Sequence, residues 1–506
     1  MNPLLVSSYS WFERHPRLLE LALILAGGLQ VLGLSPFDLY PVPILTLAFF
    51  FLVIYRATPW QALWRGWLFG LGLFGAGISW VYNSIHLFGH AIQPVAAFLT
   101  LLFVMALSIV YPASMSWLLR RLFNQSRPWM LLLLFPVAWV FFEWLRGWML
   151  TGFPWLLLGH GLVDTWLVAW APLAGVYAVS LVMALLAGML SYTLMRPRHW
   201  PLTLAATAVV LLSSWGLGHV SWTRAEGEPK KISIVQGNVP QEIKWLPEQR
   251  QPTLDLYRRL TRAHWDSDLI IWPETAVPDY LSMVLEDYLQ PLEREARLNQ
   301  TELLLGIFIY DFLREGAYNS VVKLGPEPEV YRKRRLVIFG EYIPGRALLG
   351  WMEGFLDIPM SDLLTGSGKP LIHAAGTTLG LSICYEDAYG EEIADAMPES
   401  GILVNLSNDA WFGDSLAPHQ HLQISRMRAA ELERPLVRAT NTGISAFIDA
   451  RGELSSVSPQ FETHVLTETV QPLQGMTPFA RFRNQPVVLL MLVLIVISAW
   501  LYRRGQ

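Results

Sequence analysis

Thr378-Leu-Gly-Leu-Ser-Ile-Cys-Tyr-Glu-Asp387 is an apolar, strand-like run that ends on Cys384, the only cysteine in the 506-residue chain. A lone thiol forms no internal disulfide and builds no thiolate metal cluster. It is either an inert buried thiol, the commoner fate of a single free cysteine, or a nucleophile. Two further segments shift that balance. Asp268-Leu-Ile-Ile-Trp-Pro-Glu-Thr275 carries Glu274 past the end of a buried strand, and Tyr331-Arg-Lys-Arg-Arg-Leu-Val-Ile-Phe-Gly-Glu341 carries Lys333. Taken singly, a loop glutamate is usually solvated and a basic run is usually a surface face. Strand alternation nevertheless puts Tyr331, Lys333 and Arg335 on one side and Arg332 and Arg334 on the other. A carboxylate, an ammonium and a thiol, each beside a strand, are the parts of an acyl-transfer site: a base, a cation for the oxyanion and a nucleophile.

These three segments lie in a stretch that alternates strand-like apolar runs with amphipathic helical ones. Strands are expected at 231–237, 268–272, 303–309, 318–324, 330–337, 378–384, 401–406 and 442–449, with helices at 247–265 and 422–433. About 260 residues, 221–480, suffice for a full α/β core, and the alternation points to a layered sandwich.

The remainder of the chain has another character. Composition is 53% hydrophobic and only 15% charged, and mean hydropathy is +0.35, too apolar for a water-soluble protein throughout. No lysine precedes Lys230. Apolar runs near the ~20 residues that cross a bilayer occur at 18–34, 43–55, 66–85, 92–118, 129–145, 167–194, 201–217 and 486–502. The chain therefore divides into a bundle of seven transmembrane helices over 1–220, the α/β unit over 221–480, and an eighth helix with a short tail over 481–506. Arginines cluster at Arg14 and Arg17, Arg56 and Arg65, Arg120, Arg121 and Arg127, Arg196 and Arg198, and Arg503 and Arg504. With eight crossings every cluster falls on one side, so the positive-inside rule puts both termini in the cytoplasm and 221–480 outside. Net charge −4 gives no overall basic surface, which argues against nucleic acid as a partner.

Several motifs, Trp272-Pro-Glu-Thr, Tyr331-Arg-Lys, Phe339-Gly-Glu-Tyr, Cys384-Tyr-Glu, Asn405-Leu-Ser-Asn-Asp-Ala-Trp-Phe-Gly, Arg426-Met-Arg-Ala-Ala-Glu and Asn441-Thr-Gly, together resemble the nitrilase superfamily. Within it the chain is similar, over nearly its full length, to the bacterial apolipoprotein N-acyltransferases. Ile338 departs from the family's usual proline, which puts the turn after the lysine strand in question. The resemblance implies an αββα nitrilase-like sandwich inserted before the last helix of an eight-helix bundle. It assigns Glu274 as general base, Lys333 as oxyanion stabiliser, Cys384 as nucleophile and Glu341 as the carboxylate that orients the lysine. Tyr385 and Glu386 match positions the family needs for activity, and the Tyr385 N–H is a second oxyanion donor on this reading.

The implied reaction moves an acyl chain from a membrane phospholipid, typically phosphatidylethanolamine, through a Cys384 thioester to the α-amine of a diacylated apolipoprotein. Its setting is the bacterial inner membrane, with the catalytic unit in the periplasm. Neither metal nor organic cofactor is required, because the thioester stores the acyl-transfer potential. The apolar stretch 343–364 reads as a lipid-facing arm carrying Trp351, Phe355 and Leu356. Two rivals stand beside this reading: a membrane-tethered amidase or nitrilase acting on a small soluble molecule, and a non-catalytic transporter or scaffold. Thr365-Gly-Ser-Gly-Lys-Pro370 fails as a phosphate loop, because Pro370 replaces the required Ser or Thr. His419, His421, Asp409 and Asp414 match no strong metal spacing and are expected to shape the mouth of the site. Glu143 and Arg146 are expected as an ion pair on a helix surface.

Overall fold

The computed structural model describes residues 11, 14–343, 345 and 363–504; Trp351, Phe355 and Leu356, and with them most of the expected lipid-facing arm at 343–364, lie outside the described residues. The chain forms two compact units, one from Met1–Tyr82, Pro94–Val220 and Phe482–Gln506, the other from Asn83–Gln93 and Ser221–Arg481.

The first unit is helical. Its helices are α1 (Pro16–Leu29), α2 (Pro41–Tyr55), α3 (Pro59–Gly77), α4 (Gln93–Ser108), α5 (Leu134–Arg146), α6 (Val176–Met195) and α7 (Trp200–Leu217), followed by the C-terminal helix Gln485–Arg504. A five-residue π-turn, Ile109–Ala113, carries α4 on into Ser114–Leu122. Among the described residues, six helices are long and apolar enough to span a bilayer, or seven if α3 and Val81–Phe88, bent by 62°, count as one crossing. The chain is a multi-pass membrane protein. The start of α3 is set locally: Thr58 accepts from the Gln61 N–H, the Gln61 side chain accepts from the Thr58 N–H, and Pro59 opens the first turn. Small residues let the helices close up. A methyl on Gly72 would sit 1.9 Å from the Ile24 carbonyl of α1, and one on Gly66 2.5 Å from the Pro112 carbonyl. Leu202, Leu204, Val209 and Leu212 of α7 are exposed, as a lipid-facing side requires. Glu143 and Arg146 are buried, not on a helix surface. Glu143 accepts from the Trp139 indole (3.1 Å) and the Leu158 N–H (3.0 Å), and Arg146 donates to the Leu156 carbonyl (3.2 Å), so each satisfies backbone or aromatic groups that close packing has cut off from water.

The second unit holds two six-stranded sheets. Its strands are β1 (Thr223–Ala225), β2 (Lys230–Gln236), β3 (Leu269–Ile271), β4 (Glu302–Asp311), β5 (Gly316–Leu324), β6 (Val330–Arg332), β7 (Leu371–Ala374), β8 (Thr377–Ile383), β9 (Ile402–Ser407), β10 (Leu436–Thr440), β11 (Ala446–Ile448), β12 (Leu454–Val457), β13 (His464–Val470) and β14 (Leu473–Gly475). One sheet runs β13-β2-β3-β4-β5-β6 and the other β12-β11-β10-β9-β8-β7. β1 pairs antiparallel with β14, so the chain enters and leaves this unit side by side.

Strand alternation builds the layers. Ile232, Ile234, Leu269, Ile271 and Leu304 face Leu379, Leu381, Val404 and Val437 across the gap between the sheets. The alternating neighbours, Ile270, Trp272, Leu303 and Leu305, pack outward with Leu254 and Tyr257 of α8 (Pro247–Arg262) and Leu292 and Ala296 of α9 (Gln290–Leu298). On the far side, Leu422, Ala429 and Leu432 of α10 (Ala417–Leu432) cover Leu403, Leu436 and Ala446. Helix, sheet, sheet and helix therefore stack in that order. Of the strand expected at 442–449 only Ala446–Ile448 is extended, as β11; residues 441–445 form a turn after β10, a strand the sequence did not signal, pinned by Ser445 Oγ on the Thr440 N–H (3.1 Å).

Candidate active site

β3 and β6 run in the same direction, since β3 and β4 are parallel and β4-β5-β6 alternate. Glu274 and Lys333 therefore leave the same edge of one sheet, and Cys384 leaves β8 of the other. Ligand crevices of open α/β sheets sit at such carboxyl ends.

The Glu274 loop is anchored by Trp272, fully buried, with its ring 4.9 Å from Tyr257 and its indole N–H on Thr261 Oγ1 at 2.9 Å. Thr275 takes a left-handed φ of 49°, and Gly306 leaves room beneath: a methyl there would lie 2.7 Å from the Glu274 Cα. Glu274 Oε1 accepts from Asn319 Nδ2 at 2.7 Å and lies 3.6 Å from Lys333 Nζ. Its Oε2 is buried and takes no hydrogen bond among the described residues, so one oxygen remains available for a proton. Lys333 donates to Glu341 Oε1 at 2.8 Å. Glu341 is fixed in turn, Oε2 accepting from the Val337 N–H at 2.8 Å. Ile338, where the resemblance leads to an expected proline, leaves this turn closed: Glu341 N–H bonds the Val337 carbonyl at 2.8 Å and Phe339 N–H the Tyr342 carbonyl at 2.8 Å.

Cys384 begins a 3₁₀ turn directly after β8, with φ 51°. This left-handed conformation costs a non-glycine residue about 1–3 kcal/mol, and strain of this kind gathers at functional sites. Glu386 ties the turn to the lysine strand. Its Oε2 accepts from Tyr331 OH (2.8 Å) and the Ile383 N–H (2.7 Å), and its Oε1 from the N–H groups of Arg334 (2.6 Å) and Arg335 (3.0 Å). Tyr385 is half-buried, its ring edge-on to Tyr389 at 5.3 Å.

Electrostatics fit proton transfer. Burial raises the Glu274 carboxyl above its ordinary pKa, Lys333 pulls it back and Glu341 pushes it up again. Burial lowers the Lys333 ammonium, but Glu341 and Glu274 outweigh that and hold it protonated well above the usual lysine value. Burial and Glu274 push the Cys384 thiol up while Lys333 pulls it down. The Cys384 thiol thus shares its buried surroundings with the Glu274 carboxyl and the Lys333 ammonium.

Both halves of the chain match known families. The family described as Apolipoprotein N-acyltransferase N-terminal domain matches residues 26–189, and Carbon-nitrogen hydrolase matches 231–477. A protein of Methylococcus capsulatus named apolipoprotein N-acyltransferase is 45% identical over 469 residues, 92% of this chain and 93% of its own. The chain belongs to the apolipoprotein N-acyltransferase family. Proteins of the same name from Azotobacter vinelandii (42% identical, 96% of each chain) and Vibrio cholerae (37%, 97% of this chain and 99% of its own) are similar throughout.

Other residues of the site have no signal in local sequence. Asn319, on β5, bridges the two carboxylates, reaching Glu341 Oε1 at 3.3 Å. Lys244 is buried and donates to Thr275 Oγ1 at 2.8 Å; burial pulls its ammonium down to about 7, with Glu274 opposing. His421 and Asp409, expected at the mouth of the site, are instead fully enclosed behind Cys384, while Asp414 is exposed and His419 half-buried. The reason is Arg438, buried on β10, whose guanidinium lies 2.9 Å from Asp409 and draws the carboxylate inward. Among the described residues no group of His, Cys, Asp and Glu is arranged to hold a metal ion.

Proposed function

We propose that the chain moves an acyl group from a membrane phospholipid to the α-amine of an N-terminal diacylglyceryl-cysteine, by way of a Cys384 thioester. The observation that carries this reading is the buried Lys333 held between Glu274 and Glu341 beside the chain's sole thiol, in a protein of the apolipoprotein N-acyltransferase family. In the first half-reaction Glu274 takes the thiol proton, Sγ bonds to the ester carbonyl carbon, the C–O bond breaks, and the proton passes to the lysophospholipid alkoxide. In the second, the amine nitrogen bonds to the thioester carbon, the C–S bond breaks, Glu274 takes the amine proton, and it returns to sulfur. Lys333 and the Tyr385 N–H hold the oxyanion in both, each good donor contributing about 3 kcal/mol. Phosphatidylethanolamine is the proposed donor.

With phospholipid alone, the protein should accumulate a hydroxylamine-sensitive acyl group on Cys384. A diacylated lipopeptide with a free α-amine should discharge it as N-acyl product, and one with an acetylated amine should leave it in place. Rapid release of free fatty acid without transfer to the amine would mean a hydrolase instead.

For the setting we propose eight crossings, counting the short α2 and the bent pair, in the bacterial inner membrane with both termini cytoplasmic and the catalytic unit periplasmic. Support comes from the arginine clusters, which fall on one side only with that count. Alkaline phosphatase fused after Ser221 should be active, and fused after Arg198 inactive. The reverse pattern would put the site in the cytoplasm.

A further inference from the structure

Behind Cys384 lies a buried group of charges that the reaction as written does not use. His421, on α10, has Nδ1 2.8 Å from Asp409 Oδ1, and Nε2 2.9 Å from Asp387 Oδ1 and 3.3 Å from the Cys384 carbonyl. Arg438 places one terminal nitrogen 2.9 Å from Asp409 Oδ2 and the other 3.4 Å from Asp387 Oδ2, 3.0 Å from Ser425 Oγ and 2.7 Å from Asn405 Oδ1. Ser425 also donates to Asp387, and Ser407 to Asp409 at 3.0 Å. Asp387, Asp409, His421 and Arg438 are all 1% exposed or less.

We infer that His421 is a fixed imidazolium and a positioning residue for the nucleophile: it balances the carboxylates behind Cys384 and clamps that residue's carbonyl in the left-handed turn. The inference rests on Cys384 being the nucleophile.

Hydrogen-bond inventory carries the protonation. Both ring nitrogens face acceptors, carboxylate oxygens on either side and a backbone carbonyl, so both must donate, and only the cation does. A proton on Asp409 instead is disfavoured, because Arg438, His421 and Ser407 overcome the cost of burial and hold that carboxyl below the usual range. Burial and Arg438 both pull the imidazole down, yet Asp387 and Asp409 push it up to about 9. The groups around the ring come from several elements: Asp387 from the Cys384 turn, Asp409 and the Phe412 ring from the turn after β9, and Arg438 from β10, while Ser425 of α10 bonds the His421 backbone carbonyl.

Charge balance then reaches the thiol. Two carboxylates stand against Arg438 and His421, a neutral set only while the ring is charged. Asp409 by itself raises the Cys384 pKa, so a neutral residue at 421 leaves a buried negative charge opposing the thiolate. The geometric half is as direct. The Cys384 carbonyl is held at 3.3 Å by His421 Nε2 and at 3.3 Å by Asn405 Nδ2, which fixes the backbone at φ 51° and with it the aim of the side chain.

The test follows iodoacetamide alkylation of the full-length protein against pH; with one cysteine in the chain the label reports Cys384 alone. His421→Gln, folded by thermal melting, should shift the alkylation midpoint upward and slow labelling at neutral pH by about tenfold or more. Adding Asp409→Asn to it restores charge balance and should bring the midpoint back toward wild type. Asp409→Asn alone should lower it, which keeps the test open if His421→Gln does not fold. A purely space-filling role predicts equal midpoints in all folded variants, and that result would overturn the inference, as would a double variant shifted as far as His421→Gln. Alkylation needs no acyl donor, so failure of this clamp and failure of the acyl-transfer reading give different results.

Discussion

Replacing Cys384 with alanine should abolish N-acyl transfer, with turnover falling by roughly 10⁴-fold or more, while the fold survives. Removing the nucleophile of a concerted site costs about as much as removing the whole set, because base and oxyanion donors have nothing left to activate. The structural cost is small. The thiol is buried but only one heavy atom is lost, and alanine meets the same left-handed backbone requirement, φ 51°, that cysteine already bears. The melting temperature should therefore stay within a few degrees of wild type. Serine should be nearly as inactive as alanine: its hydroxyl is a far weaker nucleophile at neutral pH, and a Glu274–Lys333 pair set for a thiol does not compensate. Residual transfer near wild-type rates in a folded Cys384→Ala protein would remove the thioester from the reaction.

How much of this site is visible before folding depends on where each residue stands relative to its strand. Glu274 and Cys384 each follow an apolar run, which is read from a few neighbours, whereas Lys333 stands in a basic run and is singled out by strand alternation and motif. Glu341 and Glu386 are reached by motif. Arg438 shows the opposite case. It interrupts Leu436-Val-Arg-Ala-Thr440, all of it buried, and a charge in that run hides β10 from any hydrophobic pattern. Its carboxylate partners arrive from 29 and 51 residues away, distances at which sequence carries no pairing signal. The start of α10 is missed for a related reason. His421, expected at the mouth of the site, is buried, its ring met by Asp409 and Asp387, groups that only the folded sheets bring to it. In the helical unit, apolar length marks the spans well but not the 62° bend after Gly77, which depends on packing.

Lys333 and Glu274 separate stability from activity in opposite senses. Lys333 is 1% exposed and sits between Glu341 at 2.8 Å and Glu274 at 3.6 Å. Lys333→Met keeps the aliphatic stem and deletes the ammonium, leaving two buried carboxylates without their cation. Breaking such a set from one side costs about 3–5 kcal/mol, and loss of the proposed oxyanion charge should lower turnover by roughly 10²–10³-fold. Glu274→Gln removes the proposed base, an expected loss of roughly 10²–10⁴-fold, but leaves the Lys333–Glu341 pair intact. Because burial raises the Glu274 pKa first and Lys333 only partly reverses it, the folded protein favours the protonated carboxyl. That contribution to stability is fully present below the unfolded glutamate pKa and is lost as pH rises through the folded value. At neutral pH the ionised carboxylate is thus a burden on the fold, and Glu274→Gln should melt no lower than wild type. In Lys333→Met the counter-pull of the ammonium is gone, so the Glu274 pKa rises further and a proton can stand in for the missing cation. The melting deficit of Lys333→Met should therefore shrink as pH falls from about 7 to about 5, and acyl transfer should not recover with it, since the protonated carboxyl is no base. A Lys333→Met protein that melts like wild type at neutral pH, or whose deficit ignores pH, would show that the lysine does not hold this pair of carboxylates together.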